Sequence, residues 1–159
     1  MDIAGRNSRF RPMSLGPDAL ASGRPLRQRV PARSAWSDML AYSRAVRTDR
    51  HVFVAGTLPV DAQGQLVGGD DAHLQARQVL RLILAALDEV GASASEVVRL
   101  RIYLKDYADF PAIARAQFEV FETIRPTCTF VQTGFVRPEF RVQMEADAIS
   151  ETPSHIAAA

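Results

Sequence analysis

The chain has one thiol, Cys128, in the run Arg125-Pro126-Thr127-Cys128-Thr129. Further on, Gln143 and Glu145 stand two apart in Val142-Gln143-Met144-Glu145-Ala146. A thiolate is a nucleophile, and nearby guanidinium groups favour it. Arg44, Arg99 and Arg101 are the cations expected on strands. If one of them faces Cys128, that residue can act as a nucleophile. Otherwise it lines a pocket or is an inert, half-buried strand residue, as cysteines often are. A Cys-His pair has little support, since His51, His73 and His155 fall at a strand start, a helix start and the tail. Residues two apart on a strand share a face. Gln143 and Glu145 can therefore hold a water, with Glu145 as its acid-base partner, or pair with basic residues across a seam between subunits. Gly56 ends a strand where a ligand or another backbone can approach closely, and Thr57 adds a hydroxyl. No Gly-rich phosphate loop or metal-ligand cluster is evident, so neither cofactor nor metal is expected.

These residues need a scaffold. Tyr42–Arg47 and His51–Ala55 read as strands joined by the turn Thr48-Asp49-Arg50. Leu58–Val67 reads as a third extended segment around the turn Asp61-Ala62-Gln63-Gly64. Leu74, Val79, Leu82, Ile83, Ala86, Leu87 and Val90 recur at helical spacing, predicting a helix from Asp71 to Val90. Asp70 or Asp71 can cap it and Gly91 can end it. Ser93 to Glu96 fits a capping box. Val98, Leu100, Ile102 and Leu104 then alternate with Arg99, Arg101 and Tyr103, a strand buried on one face. Asp109-Phe110-Pro111 opens a second helix, with Asp109 as its cap and Phe110, Ile113, Phe118, Phe121 and Ile124 as its apolar stripe. Pro126 stops it. Thr127–Val136 and Arg141–Ile149 complete the order β-β-β-α-β-α-β-β. This predicts an α+β domain with a mixed sheet and both helices on one face. The bare face, carrying Arg99, Arg101 and Tyr103, Cys128 and Phe130 or their neighbours, and Gln143 with Glu145, must be solvated, covered or used for oligomerisation.

At 159 residues the chain suits one domain. No apolar run approaches the roughly 20 residues that span a bilayer, so no membrane partner is expected. A single cysteine excludes an intramolecular disulfide and a paired-cysteine metal site, which points to a reducing, cytoplasmic setting. Charge is uneven. Residues 1–33 hold seven arginines against Asp2 and Asp18, giving +5, so that with +1 overall the remainder carries −4. Such a segment can touch nucleic acid or an acidic surface, or serve as an organellar transit peptide. The plainer expectation is a flexible basic arm over 1–34, a single domain over 35–151 and a disordered tail over 152–159.

Residues 36–150 resemble the Rid/YjgF family of small deaminases. The resemblance rests on Tyr42-Ser43-Arg44-Ala45-Val46, Phe53-Val54-Ala55-Gly56-Thr57-Leu58-Pro59, Gln75-Ala76-Arg77-Gln78-Val79-Leu80, Gly91-Ala92-Ser93, Tyr103-Leu104-Lys105-Asp106, Asp109-Phe110 and Glu145-Ala146, in shared order. It implies a chorismate-mutase-like fold with a six-stranded mixed sheet, and a homotrimer with clefts between subunits. In the deaminating members an arginine on the fifth strand grips the substrate carboxylate with a bidentate bond. Cys128 stands there and cannot do so. A family glutamate that positions or activates water is replaced by Gln143, which can hold water but is no general base. Glu145 matches a second family glutamate, and Tyr42 a tyrosine of the cleft wall. The likeness is to a branch that lacks the gripping arginine.

The resemblance thus implies an enzyme acting on an imine, an enamine or a related reactive nitrogen intermediate, by water addition or tautomerisation, and not a standard 2-imino acid deaminase. Cys128, Gln143 and Glu145 would do the chemistry, and Tyr42, Arg44, Gly56, Thr57, Arg101 and Phe130 would contact the substrate. Arg44, Arg99 or Arg101 can replace the missing clamp from another direction, or form surface or seam ion pairs. The partner would be a small molecule, with no nucleic acid expected. The alternative is a non-catalytic trimer that binds a metabolite or a protein.

Overall fold

The computed structural model describes residues 27–32 and 40–151. Its elements are β1 (Arg27–Pro31), β2 (Ser43–Thr48), β3 (His51–Thr57), α1 (Ala72–Glu89), β4 (Val97–Leu104), α2 (Phe110–Phe121), β5 (Thr127–Gln132) and β6 (Val142–Ile149). Short 3-10 turns at Ala94–Glu96 and Tyr107–Asp109 lead into β4 and α2. The strands form one six-stranded sheet in the order β1-β2-β3-β6-β4-β5. The β4–β5 pair is parallel and the other pairs are antiparallel, so the sheet is mixed as expected.

The identity of one strand differs from expectation. Leu58–Val67 contributes only an isolated bridge, Val60 to Leu66, around its turn. The sixth strand is β1, inside the stretch expected to be a flexible arm. It pairs antiparallel with β2, from Arg27 opposite Thr48 to Val30 opposite Ala45. Val30 is its one buried side chain, so the sequence shows no apolar alternation there. The strand exists because β2 offers it a ladder. The rest of the expected arm and tail, residues 1–26, 33–34 and 152–159, lies outside the described residues.

Period-two patterning puts Val52 and Val54 of β3, Leu100, Ile102 and Leu104 of β4, and Val142, Met144, Ala146 and Ala148 of β6 on one face, all buried. Val79, Leu80, Ile83 and Leu87 of α1 and Ile113, Ala116 and Phe121 of α2 pack against them. Each fully buried Leu or Ile stabilises the fold by about 1.5–3 kcal/mol. Helix α1 starts where Asp71, rather than Asp70, accepts the backbone N–H groups of His73 (2.8 Å) and Leu74 (3.0 Å). It ends in a Schellman motif: Gly91, at φ +67°, donates to Asp88 O and Ala92 donates to Leu87 O, both at 2.9 Å. The buried guanidinium of Arg47 adds bonds to the carbonyls of Val90 (2.7 Å), Gly91 (3.0 Å) and Asp49 (2.9 Å). Two buried amides anchor loops to the same helix. Gln78 donates to Val60 O at 2.7 Å, and Gln75 accepts from Arg141 N at 2.9 Å while donating to Glu139 O at 3.0 Å.

Helix α2 departs from its expected start and stripe. Asp109 makes no side-chain cap. Its carboxylate instead takes Arg141 Nη1 at 3.1 and 3.2 Å, and Asp106 caps the preceding 3-10 turn through Ala108 N at 2.9 Å. Ile113 and Phe121 are buried, whereas Phe110 and Phe118 are exposed by 41% and 57%. That leaves Phe110 and Phe118 as exposed aromatics of α2. No helix among the described residues is long and apolar enough to cross a membrane.

Candidate functional site

The face opposite the helices carries a paired charge layer across β4 and β6. In register, Arg101 lies opposite Glu145, Tyr103 opposite Gln143, and Arg99 opposite Asp147. The Arg101 guanidinium donates in close contact to Glu145 Oε1, and the Tyr103 hydroxyl donates to the same oxygen at 3.1 Å. Asp147 sits 3.5 Å from both Arg99 and Arg101. The bond to Glu145 raises the pKa of Arg101 above its ordinary value against the opposing effect of desolvation. Burial first, and then donation to Glu145, push the Tyr103 hydroxyl above its ordinary 10.0. Glu145 thus pairs with a basic group of its own chain, where the sequence allowed a pairing across a seam between subunits. With Arg101 and Tyr103 both on one carboxylate oxygen, Glu145 is held in place.

Gln143 stands one step along the same face. Its carboxamide lies over Gly56: a Cβ added there would come within 2.8 Å of Gln143 Nε2. The β3–β6 register shifts between Val54 and Thr57, and that irregularity brings the Gly56 backbone under the amide. Thr57 is fully buried, donating to Ala55 O at 2.8 Å and accepting from Arg44 Nη1 at 3.0 Å. Arg44 and Thr57 therefore brace the strand end behind Gly56. Tyr42 lies just before β2 and is half-buried.

Cys128 and Phe130 are not on this face. The parallel register sets Cys128 beside Leu100 and Phe130 beside Ile102, both helix-side residues. Phe130 packs edge-on against Phe110 of α2 with centroids 4.7 Å apart. Cys128 Sγ lies 3.5 Å from Gln117 Oε1, also on α2. Of the two parities the sequence leaves open for β5, the structure takes the one that turns Cys128 and Phe130 to the helix side, so within one chain they do not meet Gln143 and Glu145. Thr127, Thr129 and Val131 occupy the bare face of β5 instead. Alternation alone gives the parity of a strand, whereas its absolute sense depends on a register the sequence does not display. Cys128 is nevertheless exposed, because β5 is the sheet edge. Desolvation against α2 raises its thiol pKa despite the opposing bond to Gln117. Arg99 and Arg101 lie across the sheet and Arg44 is engaged by Thr57, so none of these three arginines activates the thiol within the chain.

Beside Cys128, a shallow depression of about 320 Å³ runs along the end of α2, lined by Ala114, Gln117, Phe118, Phe121, Glu122, Arg125 and Pro126. Neither Gln117 nor Arg125 stands among the candidate site residues read from the sequence. One signal was available: Gln117 lies one helical turn before Phe121, on the stripe that returns toward β5. Among the described residues no group of three or more His, Cys, Asp or Glu side chains is gathered around a common point.

The chain therefore carries two groups of candidate residues on opposite sides of one sheet. Residues 32–150 match the family model described as endoribonuclease L-PSP. The 3-aminoacrylate deaminase RutC of Acinetobacter baylyi is 36% identical over 107 residues, covering 67% of this chain and 85% of that protein. A RutC family protein of Pyrococcus abyssi is 35% identical over 69% of this chain and 87% of its own length. Among solved structures, a YjgF/YER057c/UK114 family member from Mycobacterium tuberculosis superposes with a TM-score of 0.70 at 35% identity, covering 78% of this chain and 99% of that one. A family model spanning β2 to β6 and both helices, with relatives of this identity and coverage, places the chain in the endoribonuclease L-PSP family, the Rid/YjgF group.

Proposed function

We propose that the protein is a small-molecule enzyme that acts on an imine or enamine intermediate, by water addition or tautomerisation, in clefts between copies of a homotrimer. The observation that carries this is the Gln143 carboxamide seated over Gly56, beside a carboxylate fixed by Arg101 and Tyr103. An amide in that position orients a water for attack on a C=N carbon without acting as its base. Addition gives a carbinolamine, which expels ammonia and leaves a carbonyl. The likeness to a 3-aminoacrylate deaminase supports an enamine or imine substrate.

The separation of the two groups of candidate residues supports an assembly in which copies complete one another's clefts. Cys128, Gln117 and Phe130 cannot meet Gln143 and Gly56 through their own sheet, so the β5 edge of one copy would lie over the bare face of the next. That bare face exposes Phe53, Val131 and Ile149 around its paired charges, a composition suited to burial against another copy. The assembly should sediment at three times 17.5 kDa. Tyr42, Arg44 and Thr57 would shape the cleft wall. The lone thiol suits a reducing cytoplasm.

With Cys128 where a carboxylate-gripping arginine would stand, 2-imino acids such as iminopyruvate should be poor substrates and larger, more apolar imines better ones. Ammonia release from imines generated in place by an amino-acid oxidase tests this. Slow turnover of iminopyruvate, with Gln143→Ala lowering kcat on the better substrates by about tenfold to a hundredfold, is expected. Rapid turnover of iminopyruvate would refute the reading. A second reading, a non-catalytic trimer that binds a metabolite or partner protein, is favoured by the engagement of Glu145 in its ion pair. Removing residues 1–26, which spares β1, separates the two. It abolishes binding carried by the basic arm and leaves a cleft reaction intact.

A further inference from the structure

Three arginines were candidates to replace the missing anion clamp, and all three are committed elsewhere. Arg44 holds Thr57, Arg99 pairs with Asp147, and Arg101 pairs with Glu145 and Asp147. Arg125 is placed differently. It lies three residues before Cys128 and lines the depression that Gln117 also lines, and Gln117 touches the Cys128 sulfur. Its Nε is turned back onto the carbonyl of Glu122 at 3.1 Å. Among the described residues its terminal nitrogens have no partner. Its backbone is left-handed, at φ +52°, and its N–H closes the end of α2 on Phe121 O at 3.0 Å. The side chain is thus launched from a fixed point by a backbone anchored at the helix end, which limits the freedom lost on binding a ligand.

Resting on the reading above, we infer that Arg125 is the anion-recognising residue of this protein, and that the depression between the end of α2 and the start of β5 takes a small monocarboxylate with an apolar body. Phe118, Phe121, Ala114 and Pro126 supply the apolar floor, and about 320 Å³ suits a single aromatic or branched group. Guanidinium nitrogens are matched to a carboxylate. The Gln117 amide offers a second donor beside it. Glu122 lines the same depression. It repels a second negative charge and can accept an N–H, so dicarboxylates are excluded and an aminated substrate is accommodated. The carboxylate would sit away from Cys128 along the helix, leaving the reacting carbon at the β5 edge. This assigns a longer, amphipathic substrate in place of a compact 2-imino acid.

Calorimetric titration of the full chain with 3-phenylpropionate, phenylsuccinate and 3-phenylpropanol tests the assignment without turnover. The monocarboxylate should bind in the millimolar range or better, and the dicarboxylate and the alcohol at least about tenfold more weakly. Arg125→Asn tolerates the positive φ and removes the charge, and it should weaken 3-phenylpropionate about tenfold or more. Arg125→Lys should restore part of that loss. On an apolar carboxylated imine, Arg125→Asn should raise KM more than it lowers kcat. Equal binding of acid and alcohol, unchanged affinity in Arg125→Asn, or no binding of the acid to the wild-type chain would each overturn the inference. A failure of ammonia release with these binding results intact would instead fall on the proposed reaction.

Discussion

The two faces of the sheet are made by the same strands, yet they obey different rules. On the helix side, Val52, Val54, Leu100, Ile102, Leu104 and Val142 are closed off, and no charged side chain of β3, β4 or β6 lies among them. On the bare side, Arg99, Arg101, Glu145 and Asp147 cancel in pairs across β4 and β6. A solvated face needs no such cancellation. A face that will meet another surface benefits from it, because paired charges lose less on desolvation than isolated ones. The difference teaches that one side of this sheet is finished within the chain, while the other leaves Phe53, Val131 and Ile149 exposed around its paired charges.

The largest expected effect lies on the finished side. Ile102→Ala should cost about 2–5 kcal/mol, read as a lower urea midpoint at unchanged slope. A cost below about 1 kcal/mol would mean that the helices do not close that face. On the bare side, a double-mutant cycle of Arg101→Met and Glu145→Gln should show coupling of about 1 kcal/mol or less in the dissociated chain, weakening with salt. If the coupling is several kcal/mol, that side is already sealed in a single copy.

Tyr103 sharpens the contrast by pH. Its folded pKa lies above the ordinary 10.0, so its contribution is intact below pH 10 and is lost as pH rises through the folded value. Tyr103→Phe should remove that part of the alkaline loss, followed by denaturation across pH 9–11 or so. The smallest effect on stability is expected at Gly56. Gly56→Ala should change it by less than about 1 kcal/mol, since the atom it meets is the far end of a side chain, Gln143 Nε2. It should nonetheless displace that amide, visible as a shifted side-chain NH₂ resonance, and slow turnover.

Much of the finished side was legible from residues alone. Helix α1 announced itself through its apolar spacing, the Asp71 cap and the Gly91 stop, and β4 through strict alternation. The β1 strand was not legible, because Arg-Gln-Arg-Val-Pro has one residue to bury and its pairing with β2 is non-local. The Asp109 cap was a sound local expectation overridden at long range by Arg141. The positions of Gln143 and Glu145 beside each other followed from period two. The side taken by Cys128 did not, since it is fixed by the parallel pairing with Leu100. Arg125 escaped notice because its value comes from a backbone conformation and a neighbouring helix, neither of which its identity reveals.

The guanidinium of Arg47 reaches the hairpin turn through Asp49 O and the close of α1 through Val90 O and Gly91 O. One planar group therefore couples a strand connection to a helix end, and neither can shift without stretching the other's bonds. A lysine would carry the same charge but lacks the flat fork that serves carbonyls lying in different directions. The tip of the hairpin, for all its exposure, should exchange its amide hydrogens on the timescale of the helix it is fastened to.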